Sequence, residues 1–479
     1  MEQKNKKKIS TQTIIKLLLA VVLLGLSAFL LKGDVWTFWT WWLLAGVMGF
    51  AAMPVTGRLF WRFEDKGWIF SKVLAIAATG FLTWFLTAIR LIPFNALTCA
   101  AVTILCAVIC FFLLRKESKE KTECFPVDRI SLIYWEELLF FLAFLMWTYL
   151  AGFRPAAYGT EKFMDYGFME AMMRSTTLPA RDLWYSEGHI NYYYGGQYFA
   201  VFLTKLSHTK VELTYNLMRT FVAGLAFAMP FSLVYQMMSD RMKGLQKSEK
   251  VIKGLPFAAG FTAGTAVSIA GNMHYVIYAQ IIPLIEKLTG KEVSSYWFPD
   301  ATRYIGYNPY REEDRTIHEF PCYSFVLGDL HAHVVNIMFV LLVIALLYVW
   351  LRGVRKKTVP VETSMKDGKF WKEQLLMPHL LVISALLGMF QWTNFWDFVI
   401  YYVVTLGTVL FANIIRFQGK IKKIMVVTFA QMAEIYLLAY LVILPFTLQF
   451  DTMVDGIGIA KYHSYFYQLL VLWGLPAVF

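Results

Sequence analysis

Long apolar stretches alternate with short polar and charged segments along this chain of 479 residues. A helix needs about 20 apolar residues to cross the hydrocarbon core of a bilayer, so each long stretch predicts a membrane-spanning helix. The long stretches lie near 13–31, 35–55, 68–89, 94–114, 132–152, 212–238, 254–280, 334–351, 375–391, 396–415 and 424–447, and a shorter one begins near 465. The pattern therefore predicts an all-α polytopic membrane protein with about 12 transmembrane helices.

Composition agrees with this class. The chain is 58% hydrophobic and only 16% charged, whereas soluble domains carry about 25% charged residues. The net charge of +12 does not indicate a nucleic-acid partner, because the basic residues stand in short clusters between apolar stretches. The positive-inside rule places such clusters in the cytoplasm. We expect the lipid bilayer as a partner and no nucleic acid.

The basic clusters also predict the topology. They read GRLFWRFEDK, RKESKEK, SDRMKGLQKSEKVIKG, RGVRKKTVPVETSMKDGKFWK and RFQGKIKK. All five can be cytoplasmic, together with the N-terminus, only if segment 192–206 does not cross the membrane. We therefore expect this segment, YYYGGQYFAVFLTKL, to form a short amphipathic helix along the outer interface of the plasma membrane. The polar loops then lie outside the cell.

An acidic loop follows the fifth long stretch. Glu161, Asp165 and Glu170 open a predicted short helix, in which the methionines of DYGFMEAMMRS share one side, and TTLPARD ends it as a turn. A carboxylate placed just outside the membrane can act as a general base. The alternative is that these acids cap the helix or lie on its solvated surface.

A second polar cluster precedes the stretch at 334–351. Within TIHEFPCYSFVLGDLHAHVV, the side chains of Asp329, His331 and His333 point the same way if the backbone is extended. If the backbone is helical, Asp329 and His333 share a face and His331 points away. Either arrangement can hold a divalent metal or a phosphate. The alternative is that these histidines are structural.

Two further features lie in the predicted outer loops. Arg303 and Arg315 stand among tyrosines, and arginine suits bidentate binding of phosphate, although lipid headgroups are an equally good partner. The segment QWTNFWDF predicts an outer helix junction that contains Asp397. An aromatic belt at the interface accounts for its tryptophans without any substrate.

Three motifs together carry a resemblance to a known family. EKFMDYGFMEAMMRS, NYYYGG and EFPCYSFVLGDLHAHV resemble, in this order, the YYY-domain family of polytopic membrane proteins of bacteria and archaea. The resemblance covers roughly 130–479. That family in turn looks like a distant relative of the GT-C membrane glycosyltransferases, such as the protein O-mannosyltransferases and the aminoarabinose transferases of lipid A. The four apolar stretches before this part predict an N-terminal four-span membrane module at 1–129. The resemblance implies a GT-C-like membrane core at 130–479, with outer catalytic loops 153–211 and 282–333.

The chain departs from the GT-C pattern at two points. The GT-C signature pairs two acids near the start of the first outer loop, whereas Asp165 is followed by Tyr166. The Lys-Pro-Pro or His-Pro-Pro element before the interfacial helix is absent, and Asn191 and the tyrosine triplet stand in its place. The identities of the sugar and of the acceptor are therefore not implied.

The resemblance implies a membrane glycosyltransferase that moves a sugar from a polyprenyl-phosphate-linked donor to an unknown acceptor at the outer membrane face. Asp165 would act as the base, with Glu161 and Glu170 beside it. The expected substrate-binding residues are Tyr192, Tyr193, Tyr194, Gly195, Gly196, Arg303, Arg315, Glu319, His331 and His333. A divalent metal, Mg or Mn, would be held by Asp329, His331 and His333.

Three other interpretations remain open at this point. The chain can be a transporter or flippase of lipid-linked molecules, because charges at the membrane edge suit that function equally well. It can also be a non-catalytic membrane assembly subunit. The tyrosine triplet can be an aromatic belt segment and nothing more. No internal repeat relates the two halves of the chain, and this favours an enzyme over a transporter.

Overall fold

A computed structural model describes residues 10–120, 124–243, 249–354, 365–452 and 458–478. Helices dominate these residues, and no strand forms among them apart from two isolated bridges, Arg181 with His189 and Tyr307 with Tyr310. The predicted all-α class is confirmed. The basic segments that predict the topology fall partly in 1–9, 121–123, 244–248 and 355–364, outside the described residues.

The helices of the first half are α1 (Thr11–Leu31), α2 (Val35–Leu59), α3 (Trp68–Ala88), α4 (Ala96–Glu120), α5 (Ile130–Ala151), α6 (Lys162–Arg174), α7 (Gly195–Ser207) and α8 (Val211–Met242). Those that follow are α9 (Glu249–Ser268), α10 (Met273–Tyr275), α11 (Ile282–Leu288), α12 (Pro321–Leu327), α13 (Ala332–Val354), α14 (Gly368–Leu375), α15 (Pro378–Thr393), α16 (Phe395–Phe417), α17 (Ile421–Val442), α18 (Leu444–Thr447) and α19 (Phe466–Val478). A π-helical stretch, Val276–Ile281, joins α10 to α11.

Eight helical segments among the described residues are long and apolar enough to cross a membrane, or up to ten if each of two bent pairs is one span. One of the eight, Thr11–Leu59, contains both α1 and α2. Trp39 Nε1 donates to Ser27 Oγ at 3.0 Å, although these residues would be about 18 Å apart along a straight helix. The chain therefore folds back between α1 and α2. The total of about 12 spans stays a prediction.

The apolar stretch predicted as a span at 254–280 is bent. The chain bends by 81° between Gly254–Ser268 and Met273–Leu288. Asn272 explains the new helix start, because its side chain accepts a hydrogen bond from the backbone N–H of His274. A second bend of 52° separates Gly368–Leu375 from Pro378–Thr393, where a proline begins the second helix.

Helix α8 lies at the centre and is almost completely enclosed by its neighbours α5, α9 and α13. Glycines let these helices approach closely. A Cβ at Gly224 would lie 2.9 Å from Cβ of Phe144 on α5, and a Cβ at Gly264 on α9 would lie 2.7 Å from the carbonyl oxygen of Phe227. This tight packing fixes the end of α5, from which the chain continues to α6.

Helix α7 is the short helix that the sequence predicts within 192–206, and it begins at Gly195. Its 13 residues are about 20 Å long and too short to cross a hydrocarbon core of about 30 Å. However, every residue from Gly195 to Lys205 is buried, so α7 is not an exposed amphipathic helix. Its one cation is satisfied within the protein, because Lys205 Nζ donates to the Met173 carbonyl oxygen at 2.8 Å. Helix α7 is therefore part of the protein core.

The predicted border at 129 and 130 does not coincide with a gap in packing. Phe38 of α2 stacks on Phe144 of α5 with ring centroids 4.3 Å apart. A Cβ at Gly80 of α3 would lie 2.6 Å from Cε1 of Phe199 on α7. The N-terminal helices and the later helices share one apolar core. The division into a module and a core stays a prediction.

Candidate functional site

The first element of the site is helix α6, whose buried face includes an acid. Asp165 lies in its first turn and is completely buried, on the side that also buries Met169 and Met172. Asp165 and Met169 are four positions apart and share one face of the helix, so the face that buries Met169 also buries Asp165. The helix ends at Arg174, before the TTLP segment. The predicted helix, its methionine face and its end are confirmed.

Asp165 meets the second predicted cluster directly. Its Oδ1 accepts a hydrogen bond from Gln197 Nε2 at 2.7 Å, and its Oδ2 lies 3.3 Å from Nδ1 of His331. On the other side of the ring, Nε2 of His331 lies 3.3 Å from Oε2 of Glu161. The exposed fraction of the side chains rises along this row, from 0% at Asp165 to 18% at His331 and 59% at Glu161. We call these three residues the Asp165–His331–Glu161 row. The row runs from the buried carboxylate of Asp165 to the exposed side chain of Glu161, which marks its open side.

Burial and pairing set the charges of this row. Burial raises the pKa of Asp165 above its usual range, and the contacts with His331 and Gln197 offset only part of that shift. Burial alone would lower the pKa of His331, but the contact with the Asp165 carboxylate, helped by the charges of Asp329 and Glu161, outweighs it and raises this pKa to about 9. His331 is therefore an imidazolium near neutral pH, held by a buried carboxylate.

Asp329 lies beside this row with partners of its own. Thr160 Oγ1 lies 2.8 Å from both carboxylate oxygens of Asp329. Burial raises the pKa of Asp329, against the effects of the Thr160 hydrogen bond and of the charges on His331 and Lys162. Asp329 is thus held by the residues that immediately precede α6.

Two cations that the sequence analysis missed lie next to Asp329. Gly328 has φ +92°, and a Cβ there would lie 2.7 Å from Nη1 of Arg219 and 3.2 Å from Nζ of Lys162. Only glycine suits both the left-handed backbone and this close approach. Burial lowers the pKa of Lys162, an effect that the charge of Asp329 partly offsets. Lys162 stands inside a quoted motif, whereas nothing in the sequence linked Arg219 of α8 to this site.

His333 and Glu319 form a separate pair. Nε2 of His333 lies 3.1 Å from Oε2 of Glu319, which also accepts a hydrogen bond from Ser324 Oγ at 3.0 Å. Burial alone would raise the pKa of Glu319, but His333 and Ser324 outweigh it and lower this pKa. The rings of His331 and His333 are 5.6 Å apart between centroids, so the two pairs are neighbours.

The three tyrosines lie in different surroundings. Tyr194 is 2% exposed, and its hydroxyl accepts a hydrogen bond from Trp84 Nε1 at 3.0 Å. Tyr193 packs against Phe450. Tyr192 packs against Phe168 of α6, the helix that carries Asp165, with ring centroids 5.7 Å apart. Burial, together with the charges of Asp165 and Glu161, raises the pKa of Tyr192 to about 12. The segment that precedes α7 therefore places Tyr192 next to the site and Tyr194 in the core.

The two glycines after the tyrosines serve helix packing. A Cβ at Gly195 would lie 2.7 Å from Cγ2 of Thr393 and 2.9 Å from the carbonyl oxygen of Trp392. A Cβ at Gly196 would lie 3.3 Å from Cβ of Val335. The glycines thus let α7 approach α15 and α13, rather than the side chain of Asp165. It is Gln197, the next residue, that reaches Asp165.

Three other predicted site residues have partners outside the row. The guanidinium of Arg303 lies 5.3 Å from the ring centroid of Trp297, and that of Arg315 lies 4.8 Å from the ring centroid of Tyr310. Glu170 pairs with Arg174 one turn later on α6, at 3.3 Å. The contacts of both arginines are with aromatic rings of their own loop, and the contact of Glu170 is along its own helix.

The predicted metal ligands have different neighbours. Asp329 is held by Thr160, His331 lies between Asp165 and Glu161, and His333 faces Glu319. Across the described ranges, no three histidine, cysteine or acidic side chains form a group that could hold a metal ion. Metal binding would also need a neutral His331, because an imidazolium has no free lone pair. The divalent metal stays a prediction.

Asp397 of the predicted QWTNFWDF junction is also accounted for. Helix α15 ends at Thr393 and α16 begins at Phe395, so the predicted junction is confirmed. Oδ2 of Asp397 accepts hydrogen bonds from Asn336 Nδ2 at 2.6 Å and from Asn394 Nδ2 at 2.9 Å. The acid thus ties the junction to α13.

The comparison with known families places the chain in one of them. Residues 78–479 match the family described as an uncharacterized membrane protein (DUF2298). The match covers more than half of the chain, so the chain belongs to this family of membrane proteins. No curated protein and no solved structure matches it.

Proposed function

We propose that this chain is a GT-C-like membrane glycosyltransferase that moves a sugar from a polyprenyl-phosphate-linked donor to an acceptor. In this proposal the N-terminus is cytoplasmic and the site faces the outside of the plasma membrane. The observation that carries the proposal is the row Asp165–His331–Glu161, which presents an imidazolium and a carboxylate side by side at the open end of a buried site. Sugar transfer from a lipid phosphate needs a cation for the leaving phosphate and a base for the acceptor hydroxyl.

The burial of the row assigns the roles within this proposal. Asp165 is completely enclosed, and its two oxygens face Gln197 and His331. We therefore assign Asp165 to positioning, because it orients the ring of His331 and keeps that ring protonated. His331 would donate a hydrogen bond from Nε2 to a phosphate oxygen of the donor. This differs from the role of base that the sequence alone suggested for Asp165.

Glu161 is the acid of the row that an acceptor can reach, because 59% of its side chain is exposed, and a carboxylate at this position can serve as a general base. In the proposed step the acceptor oxygen bonds to the anomeric carbon while the bond from that carbon to the phosphate oxygen breaks. The hydroxyl proton goes to Glu161, and the electron pair of the broken bond stays on the polyprenyl phosphate. His331, with Lys162 nearby, stabilises the charge that develops on the phosphate. Tyr192 offers a ring face to the sugar.

The test is a turnover assay in nanodiscs with a panel of polyprenyl-phosphate-linked sugars. We expect wild type to release polyprenyl phosphate, and His331→Gln, Glu161→Gln and Asp165→Asn to lose most of this activity. The matched control is Glu170→Gln, because Glu170 lies on the same helix but pairs with Arg174. Equal turnover in all variants would remove the role of the row. Addition of EDTA to the wild-type assay tests the predicted metal, since an unchanged rate would exclude it.

One observation favours a second candidate function, a transporter or flippase of lipid-linked molecules. Glu136 of α5 is completely buried, and neither of its carboxyl oxygens has a hydrogen-bond partner of good geometry. It contacts the buried Asp65, and next to it Glu137 pairs with the enclosed Lys72 at 2.6 Å. Buried charges inside membrane helices mark proton and substrate pathways. These groups lie near the start of α5, whereas α6 and the row follow its other end.

The two functions are separated by a flipping assay in proteoliposomes. A proton-coupled transporter would move a fluorescent polyprenyl-phosphate-linked sugar across the bilayer under a pH gradient, and Glu136→Gln would abolish the movement. The control is Glu292→Gln, which changes an exposed acid. Turnover without movement supports the transferase. Movement without turnover supports the transporter.

A further inference from the structure

A cavity of about 540 Å³ lies between α2, α3, α4 and α15, where the N-terminal helices meet a helix of the second half. Its wall is almost wholly apolar and rich in small side chains. Typical lining residues are Val47, Ala52, Ala78, Ile104, Ala107 and Ala385. The cavity is several times larger than an apolar cavity of about 150 Å³, a size that stays dry and binds apolar guests. Its size and its apolar wall therefore suit an apolar guest.

Water is a poor occupant of this cavity. The hydroxyls in its wall are those of Thr79 and Thr103, and both donate within their own helices, to the carbonyl oxygens of Ala75 at 2.7 Å and of Cys99 at 2.8 Å. A buried water needs about 2–4 polar partners. The remaining wall offers only apolar groups and the weakly polar thiols of α4.

The cavity opens sideways, in the middle of the spans. Val47 of α2 and Ile104 of α4 line it and expose 66% and 62% of their surface. Phe81 of its wall packs against two further aromatic rings, those of Trp84 and Trp392. Trp84 and Trp392 are both completely buried and stack with centroids 4.3 Å apart. The exposed lining residues therefore give an occupant a route from the bilayer.

The length of the cavity fits one kind of occupant. The wall follows α2 from Leu44 to Val55, which is about 16 Å at 1.5 Å per residue. This is about half of the hydrocarbon thickness of about 30 Å, and hence the depth of one leaflet. A bilayer acyl chain has this length and is the most abundant hydrocarbon around these helices, so mass action favours it.

We propose that this cavity binds one acyl chain of a bilayer phospholipid. The acyl chain lies between the N-terminal helices and α15. The bound chain completes the apolar packing between the two halves of the protein. This inference goes beyond the proposed transferase, because it requires no catalysis and no lipid-linked sugar.

The first test is photocrosslinking of wild-type protein in nanodiscs, with a phospholipid that carries a diazirine in the middle of its acyl chain. We expect crosslinked peptides from the inner wall, at Ala107 of α4 and at Val382 and Ala385 of α15. Crosslinks confined to outward positions of α4, such as Leu105 and Ile109, would overturn the proposal. The experiment reads out binding alone, so its failure is distinct from a failure of the transferase assay.

The second test fills the cavity. Ala107→Trp and Ala385→Phe place a ring in it from opposite walls, and native mass spectrometry should show the loss of one retained phospholipid from each variant. Leu105→Trp is the matched control, because Leu105 lies on the same helix, is 53% exposed and does not line the cavity. Equal lipid retention in all three variants would overturn the proposal. Displacement of the phospholipid by a polyprenyl phosphate would also overturn it, by assigning the cavity to the donor.

Discussion

Nδ1 of His331 lies 3.3 Å from Oδ2 of Asp165, and this contact joins the first turn of α6 to the segment that leads into α13. The carboxylate is enclosed, whereas the ring is partly open. The charge that reaches the open side is therefore the positive charge of the histidine, and the acid acts through it.

Replacement of Asp165 by Asn should lower the pH at which the protein loses its affinity for phosphate. Without the carboxylate, the pKa of His331 should fall from about 9 towards or below its ordinary value of 6.5, because burial then dominates. The wild-type affinity for polyprenyl phosphate should weaken as pH rises through about 9, and that of Asp165→Asn at a distinctly lower pH. Titration of binding against pH measures both midpoints. Glu170→Gln should keep the wild-type midpoint, and an unchanged midpoint in Asp165→Asn would contradict the assignment.

Much of the fold could be predicted from the hydrophobic pattern, because a membrane helix needs an unbroken apolar stretch. The ends of α3, predicted at 68–89 and found at Trp68–Ala88, show how closely that pattern follows structure. The bend after Ser268 could not be predicted, since the apolar stretch continues through it and only the capping side chain of Asn272 marks the break. Hydropathy does not record backbone direction.

The candidate site, like the fold, could be predicted from the sequence only in part. Asp165, His331 and Glu161 belong to residue types that attract attention in any sequence, and the structure brings them together. Gln197 and Arg219 were missed because a buried amide or cation has no local signal of its contacts. The burial of α7 was missed for a related reason. An aromatic sequence suits both a membrane interface and a protein core, and only the packing against α3 and α13 decides between them.

The stability of the protein should fall as pH rises from about 6.5 to about 9. His331 has a folded-state pKa of about 9 against an ordinary value of 6.5, so its contribution is full below pH 6.5 and lost through pH 9. The loss should be at most about 3 kcal/mol. Thermal unfolding in detergent at a series of pH values measures it. His331→Gln should flatten the curve in this window, whereas the exposed His463→Gln should leave it unchanged. A wild-type curve that rises across the window would refute the charged pair.

Removal of the amide of Gln197 should destabilise the site without changing any charge. Gln197 Nε2 donates to Asp165 Oδ1 at 2.7 Å and to the Leu330 carbonyl oxygen at 3.1 Å. Gln197→Leu leaves these buried acceptors unpaired, which costs about 1–3 kcal/mol. Thermal unfolding should show a clear loss for Gln197→Leu and little change for Gln280→Leu, at an exposed position. Equal effects of the two substitutions would mean that the buried hydrogen bonds contribute nothing.

The phosphate of a lipid donor should depend on Lys162 and not on Arg315. Lys162 Nζ approaches Gly328 beside Asp329, whereas the guanidinium of Arg315 stacks on Tyr310 in its own loop. Lys162→Met should weaken the binding of polyprenyl phosphate by about 10-fold, the usual effect of a lost charged hydrogen bond. Arg315→Met should bind as wild type does. A larger loss of affinity in Arg315→Met than in Lys162→Met would indicate that the phosphate binds at the loop of Arg315, as the sequence predicts.

The two adjacent glycines of α7 should differ in their tolerance of a methyl group. A Cβ at Gly195 would lie 2.9 Å from the carbonyl oxygen of Trp392, a backbone atom that cannot move aside, so Gly195→Ala should cost about 1–3 kcal/mol. A Cβ at Gly196 would meet Val335 and Ala332 at 3.3 Å or more, so a shift of a few tenths of an ångström accommodates it. Gly407→Ala, where nothing lies within 4 Å, should be neutral or stabilising by about 0.5–1 kcal/mol. Thermal unfolding of the three variants should therefore rank Gly195→Ala lowest. Any other order would mean that α7 does not dock on α15 through this glycine.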